Sequence, residues 1–129
     1  MSKGFNWADG PLAEGLRCYR TRQFFEAHEH WEAVWLDLAE PEKSFLQSLV
    51  QISAAFHHLR RSNLPGAVSL LTRALRRLDR SPSRFCGIDV AKLQREVRDW
   101  LLALESSTEH PQSFPEIRIL EDGPITEQK

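Results

Sequence analysis

The stretch of sequence that decides the fold is Phe24-Phe25-Glu26-Ala27-His28-Glu29-His30-Trp31-Glu32-Ala33-Val34-Trp35. Its apolar residues recur at steps of three and four, which is the period of one face of an α-helix. The same twelve residues hold two indoles, two imidazoles and three carboxylates. So many ionisable groups beside so much aromatic surface are unusual for a solvated helix. The stretch therefore predicts either a buried polar network or a ligand or metal site.

The rest of the chain also shows helical periodicity, and no segment predicts a strand. The predicted class is all-α, a bundle of about five helices arranged in hairpins, with residues 1–120 as a single domain. An apolar segment at 114–120 predicts an extended C-terminal arm, and residues 121–129 are predicted to be disordered. The predicted helices run from about Pro11 to Arg22, Gln23 to Leu38, Glu42 to Arg61, the N-cap Asn63 to Arg80, and, after the N-cap Asp89, Val90 to Glu105.

A weak internal repeat supports the arrangement in hairpins. With an offset of 40 residues, Tyr19 and Ala27 align with Leu59 and Ala67, and each copy spans a helix, a short turn and a second helix. Such a unit resembles the helical hairpins of tetratricopeptide proteins. Chance similarity between amphipathic helices is the alternative interpretation.

Composition places the chain among soluble globular proteins. Hydrophobic residues make up 41% and charged residues 27% of its 129 residues. No apolar run is long enough to cross a bilayer, and the first residues lack the apolar stretch of a signal peptide. We therefore expect a cytoplasmic protein with no membrane contact, in which Cys18 and Cys86 are unpaired.

Polar side chains lie beside the apolar stripes of the second and third predicted helices. On a helical wheel, His28 and Glu32 fall at the edge of the core-facing arc. Because buried polar groups must be hydrogen-bonded, we expect both to bond across to Gln47 or Gln51 and to His58 on the third helix. The candidate binding residues are Glu26, His28, Glu29, Trp31, Glu32, Trp35, Gln47, Gln51 and His58.

Three functions remain open for this polar region. It could be a structural network, a pocket for a small ligand or a partner, or a metal or acid/base site. A metal would be held by His28, Glu32 and His58, with His57 as an alternative third ligand. A hydrolase-like enzyme would use His28, Glu29, Glu32 and His58, although the second imidazole of a His-Glu-x-x-His motif is missing. No cofactor follows from the sequence. Non-enzymatic binding is the first interpretation.

Charge is distributed unevenly although the net charge is only −1. Residues 23–42 hold six acids and no Lys or Arg, whereas residues 60–84 hold seven arginines against one acid. One helical face could bind a polyanion such as nucleic acid, or the acidic helix of a second copy in a homo-oligomer. We favour assembly or a solvated face, because the patch lacks aromatic residues that stack on bases. The arginines of this face are Arg73, Arg76, Arg77 and Arg80.

Three motifs follow one another between about residues 12 and 78. They are Phe24-Phe25-Glu26-Ala27-His28-Glu29-x-x-Glu32-x-x-Trp35, Phe45-Leu46-Gln47-x-Leu49-Val50-Gln51 and His58-Leu59-Arg60-Arg61-x-Asn63-Leu64-x-Gly66-Ala67. Together they resemble a widespread prokaryotic family known as domain of unknown function 309 (DUF309). The resemblance implies a small all-helical fold and a site at the matching polar positions, but no particular activity. Those positions are Glu26, His28, Glu29, Glu32, Gln47 and Gln51.

Overall fold

The computed structural model describes residues 5–120, which form five helices and one short pair of strands. The predicted helical class is confirmed, and each helix begins and ends within three residues of its predicted bounds. The predicted disordered segment, residues 121–129, lies outside the described residues. In chain order the elements are α1 (Pro11–Arg20), α2 (Phe24–Trp35), α3 (Glu42–Arg60), α4 (Leu64–Asp79), β1 (Arg84–Phe85), β2 (Ile88–Asp89) and α5 (Val90–Ser106).

Side-chain caps begin the two helices for which the sequence predicts them. The Asn63 side-chain oxygen accepts from the Gly66 backbone N–H at 3.1 Å, and the Asp89 carboxylate accepts from the Lys92 backbone N–H at 3.0 Å. Each bond satisfies one of the backbone donors that the first turn of a helix leaves without an intrahelical partner. Pro65 adds a preset backbone angle in the first turn of α4.

Consecutive helices pack as antiparallel hairpins, and the internal repeat is visible in their turns. The α1–α2 turn places Arg22 at φ 66°, and the α3–α4 turn places Ser62, 40 residues later, at φ 62°. The following residues also agree, with Gln23 at φ −93°, ψ 73° and Asn63 at φ −102°, ψ 77°. The two turns thus have the same conformation, as the predicted repeat requires; a left-handed residue also ends α5 at Ser107, outside the repeat.

The apolar faces of α2 and α3 form the centre of the core. The side chains that are at most 1% exposed there include Trp31, Phe45, Leu49, Ile52 and Phe56. Trp35 packs at the edge of this core and is partly buried, with the Lys43 ammonium 4.7 Å from its ring centroid.

Aromatic rings join α2, α3 and α5 to the C-terminal arm. The ring of Phe56 lies 5.6 Å from that of Phe24, 5.0 Å from that of Trp100 and 4.9 Å from that of Phe114. The contacts with Trp100 and Phe114 are edge-to-face, an arrangement that is favourable beyond the area that it buries. The arm predicted at residues 114–120 therefore packs against the helical core, as expected.

A two-stranded hairpin between α4 and α5 corrects the expectation that the body has no strand. The strands Arg84–Phe85 and Ile88–Asp89 pair antiparallel around Cys86 and Gly87, which have φ values of 54° and 78°. Two residues with positive φ form the turn whose twist matches a β-hairpin. Strands of two residues are too short to show alternation in the sequence. The arm extends this pair, because Ile119 forms a bridge with Ile88.

No helix within residues 5–120 is both long enough and apolar enough to cross a membrane.

Candidate functional site

The carboxylates of α2 face solvent rather than the core. Glu26, Glu29 and Glu32 are all exposed, so the prediction that Glu32 is drawn inward is wrong. The inward arc of α2 is already filled by Phe24, Ala27 and Trp31, each at most 2% exposed. A residue at the edge of that arc can turn its carboxylate to water, which avoids the cost of desolvating a charge.

Among the ionisable side chains of residues 24–35, His28 alone is partly buried. Its Nε2 lies 3.6 Å from the Glu32 Oε1 on the same helix. Its Nδ1 is buried and has no hydrogen-bond partner among residues 5–120. The contact of His28 with Glu32 runs along one helix, whereas the predicted hydrogen bonds from these two residues lead across to α3.

The predicted network between α2 and α3 does not form. Gln51 is buried, yet its Oε1 makes no hydrogen bond within the described part of the chain, and Gln47 is only partly buried. The reason is the register of the two antiparallel helices. It brings the Phe25 ring to 5.2 Å from the His57 ring and puts His28 in one pocket with Ala54. Neither glutamine lines the pocket that His28 and Ala54 share.

A cavity of about 270 Å³ opens between α2 and α3 at this register. The Phe25 ring is 45% exposed beside it and stacks on the His28 ring at 6.1 Å with an interplanar angle of 25°. Four rings and one methyl group line a single space, which we call the histidine pocket. Its lining residues are Phe25, His28, Ala54, His57 and His58.

Asn63 orients one of these imidazoles. Its side-chain oxygen caps α4 by accepting from Gly66, so its amide nitrogen must face His58, whose Nδ1 lies 3.0 Å away. An amide nitrogen only donates, so the His58 Nδ1 accepts and the neutral ring carries its proton on Nε2. The Nε2–H of His58 makes no hydrogen bond within residues 5–120 and remains a donor for a ligand.

His57 completes the ring-lined wall. Burial lowers its pKa below the usual 6.5, and the positive charge of Arg61 lowers it further. The neighbouring His58 and His28 act in the same direction, whereas Glu26 opposes them. His57 is therefore predominantly neutral at pH 7, which suits the pocket to an uncharged or weakly polar ligand.

The metal interpretation is not supported by the side-chain arrangement. Within the described residues, no group of three or more His, Cys, Asp or Glu side chains is placed to hold a metal ion. Of the three predicted ligands, Glu32 is exposed and pairs with His28, while His58 bonds to Asn63. The acid/base alternative weakens for the same reason, because Glu29 and Glu32 both lie in solvent outside the pocket.

The two candidate indoles have different positions. Trp31 is fully buried and donates from Nε1 to the Leu12 backbone oxygen at 3.1 Å, which gives it a structural role. Trp35 is partly buried, and its Nε1 has no hydrogen-bond partner in the described range. Neither indole lines the histidine pocket.

The arginine face of α4 is solvated in this chain. Arg73, Arg76 and Arg80 are exposed and make no ion pair among residues 5–120. Arg77 is partly buried and donates to the Ser44 hydroxyl at 2.8 Å. No ion pair joins α2 to α4 within the described residues, so the acidic and basic faces remain available to other molecules. Assembly through them stays a prediction.

Phe25, Ala54 and Asn63 were not among the predicted site residues, and His57 was predicted only as an alternative metal ligand. Phe25 and Ala54 carry no reactive group, so nothing in their chemistry singles them out. The contact of Asn63 with His58 could have been predicted. Asn63 follows His58 by five residues, and the turn after α3 brings the chain back towards the end of that helix.

A comparison with protein families places the histidine pocket inside a recognised domain. The family model described as "Domain of unknown function (DUF309)" matches residues 12–70, which confirms the resemblance found in the sequence. A protein of Aquifex aeolicus (strain VF5), described as an uncharacterized protein, is 26% identical over 91 residues. The match covers 70% of this chain and 27% of that protein.

Proposed function

We propose that this chain, which matches the DUF309 family model over residues 12–70, binds a small, flat, largely apolar molecule in its histidine pocket. The observation that carries the proposal is the pocket itself, a space of about 270 Å³ lined by four rings and floored by Ala54. Small-molecule sites are typically concave and mostly apolar, with a few placed polar groups.

The hydrogen-bonding groups of the pocket specify the ligand further. The Nε2–H of His58 is held ready as a donor by the bond between Asn63 and Nδ1. We therefore expect the ligand to carry an acceptor, such as a carbonyl oxygen, at one edge of its flat body. The exposed Phe25 ring offers a face for stacking on an aromatic ligand.

The proposal is of binding and not of catalysis. The enzyme hypothesis drawn from the sequence requires the carboxylates of Glu29 and Glu32, and both face solvent outside the pocket.

An NMR titration with two matched probes tests this proposal. Acetophenone has a flat ring and a carbonyl acceptor, whereas ethylbenzene has a similar shape and no acceptor. Both should shift the Ala54 methyl signal and the ring signals of His57 and His58. Acetophenone should bind at least about fivefold more tightly, because only it satisfies the His58 donor. The methyl signal of Ala33, which lies on the exposed face of α2, should not move.

Two outcomes would overturn the proposal. One is the absence of saturable shifts at the pocket with either probe. The other is equal shifts at Ala33 and Ala54, which would indicate non-specific contact with apolar surface. Equal affinity for the two probes would refute the role of His58 while leaving the pocket as the binding site.

A further inference from the structure

A second cavity lies where the turn between α1 and α2 meets the C-terminal arm. Its volume is about 300 Å³, at the lower end of the range for ligand sites. It is formed by elements far apart in the chain, so it exists only once the arm has packed. Its lining includes Arg20, Arg22, Phe114, Pro115, Glu116 and Ile117.

Arg22 presents an unused guanidinium group to this cavity. Its guanidinium carbon lies 5.2 Å from the centroid of the Phe114 ring, and its side chain makes no hydrogen bond within residues 5–120. This cation–π contact places the guanidinium group at the cavity and leaves its N–H donors free. A planar guanidinium held in this way is preorganised to bind two oxygens of a carboxylate or phosphate.

Neighbouring arginines hold Arg22 in place. Its backbone has φ 66°, a left-handed conformation that non-glycine residues seldom adopt. The Arg60 guanidinium donates to the Arg22 backbone oxygen at 2.6 Å and stacks over the Phe24 ring at 4.9 Å. Arg20 donates to the Ile117 backbone oxygen at 3.1 Å, which ties the arm to the same corner.

The charge of this corner is positive. Glu116 is the one acidic residue among the described residues that line the cavity, and its carboxylate lies 3.5 Å from the Lys92 ammonium. Neither Arg20 nor Arg22 forms an ion pair with any acid in the described part of the chain. Glu96 also lies beside the cavity, where it accepts from the Glu116 backbone N–H and pairs with Lys92, both at 2.7 Å. The three arginines and one lysine of this corner thus outweigh its two carboxylates.

We propose that this cavity binds an oxyanion, a carboxylate or phosphate group of a small molecule, through Arg22 with help from Arg20. The site is separate from the histidine pocket and does not depend on the function proposed for it. The rest of the bound molecule would occupy the remaining volume against Phe114 and Pro115.

Calorimetric and NMR titrations of the full chain with phenyl phosphate and benzoate test this site, with inorganic phosphate and acetate as the bare ions. Saturable binding should shift the Arg22 Nε–H and Phe114 ring signals. Arg22→Gln should weaken binding at least about tenfold, the loss expected for a hydrogen bond to a charged group. Arg20→Gln should weaken it less. Arg73→Gln removes the same charge from an exposed and unpaired position on α4 and should leave the affinity unchanged.

The outcomes separate the proposal from general electrostatic attraction. Tighter binding of phenyl phosphate would identify a phosphate ester as the ligand class, and tighter binding of benzoate would identify a carboxylate; either supports the site. An equal loss of affinity in Arg73→Gln and Arg22→Gln would overturn it, as would the absence of any saturable shift at Arg22. If Arg22→Gln proves unstable, Arg20→Gln takes its place. A loss of affinity larger than that of Arg73→Gln supports the site, and an equal loss overturns it.

Discussion

Replacing Gly15 by alanine should destabilise the fold, because α1 approaches the Trp31 indole closely at that residue. An added Cβ would lie 2.3 Å from the indole Nε1 and 2.5 Å from Cδ1. Trp31 is fully buried and cannot move outward without displacing its neighbours. In the second hairpin, 40 residues later, Ala55 takes the place of Gly15 and Leu71 takes the place of Trp31. The residue on the first helix of that hairpin is therefore larger, and the residue on its second helix is smaller.

The expected magnitude follows from three contributions. Overpacking a tight core costs about 1–3 kcal/mol. Displacing the indole breaks its hydrogen bond to the Leu12 oxygen, and leaving that buried donor unpaired costs a further 1–3 kcal/mol, approximately. Alanine gains about 1 kcal/mol over glycine from helix propensity. The free energy of unfolding should therefore fall by about 1–5 kcal/mol for Gly15→Ala.

Urea unfolding of a double-mutant cycle measures this. With a slope of about 2 kcal/mol per molar urea, Gly15→Ala should lower the midpoint by roughly 0.5–2.5 M. In a Trp31→Leu background the same change should cost much less, because the double mutant reproduces the alanine and leucine of the second hairpin. The close packing of α1 against Trp31 would be refuted if Gly15→Ala cost the same in the wild type and in Trp31→Leu. A rise in stability for Gly15→Ala alone would refute it as well.

Three further predictions follow from individual contacts. Glu32→Ala should change the free energy of unfolding by less than about 0.5 kcal/mol, because the Glu32 side chain is 52% exposed. A loss above about 1 kcal/mol would contradict this and support a buried hydrogen-bond network at Glu32. Tyr19→Phe should cost about 1–3 kcal/mol in urea unfolding, because the Tyr19 hydroxyl donates to the buried Pro115 oxygen at 2.6 Å; an unchanged midpoint would contradict this tie to the arm. The lowered pKa of His57 means that its neutral form stabilises the fold. That contribution is complete above pH 6.5 and is lost as the pH falls through the folded-state pKa, so the stability of the wild type relative to His57→Gln should decrease from about pH 7.5 to about pH 5.5. A constant difference would show that His57 is not desolvated.

The helices could be predicted from the sequence because their signals are local. Asn63 and Asp89 cap the helices that they precede, and the apolar period fixes which face of each helix is buried. The β-hairpin could not be predicted, since two-residue strands have no alternation to detect. Its only local signal is Gly87 in a turn.

The candidate site was harder to predict because it depends on contacts between helices. A helical wheel places His28 and Glu32 at the edge of the buried arc, but it does not say which way an edge side chain turns. The pairing register of α2 and α3 puts His28 in a pocket with Ala54, and Gln51 does not line that pocket. That register is set by packing of the large rings, such as Phe24 against Phe56, and no single-residue signal reports it.

A substitution that fills the histidine pocket is the sharpest test of whether a small, flat ligand binds there. Ala54 is partly exposed at the pocket floor, and leucine has nearly the same helix propensity as alanine, so Ala54→Leu should fold normally. Ala33→Leu adds the same atoms to the exposed face of α2 and is the matched control. Because the leucine side chain would occupy the pocket, acetophenone binding measured by NMR titration should be lost in Ala54→Leu and unchanged in Ala33→Leu. Equal affinity of acetophenone for the wild type and for folded Ala54→Leu would contradict it.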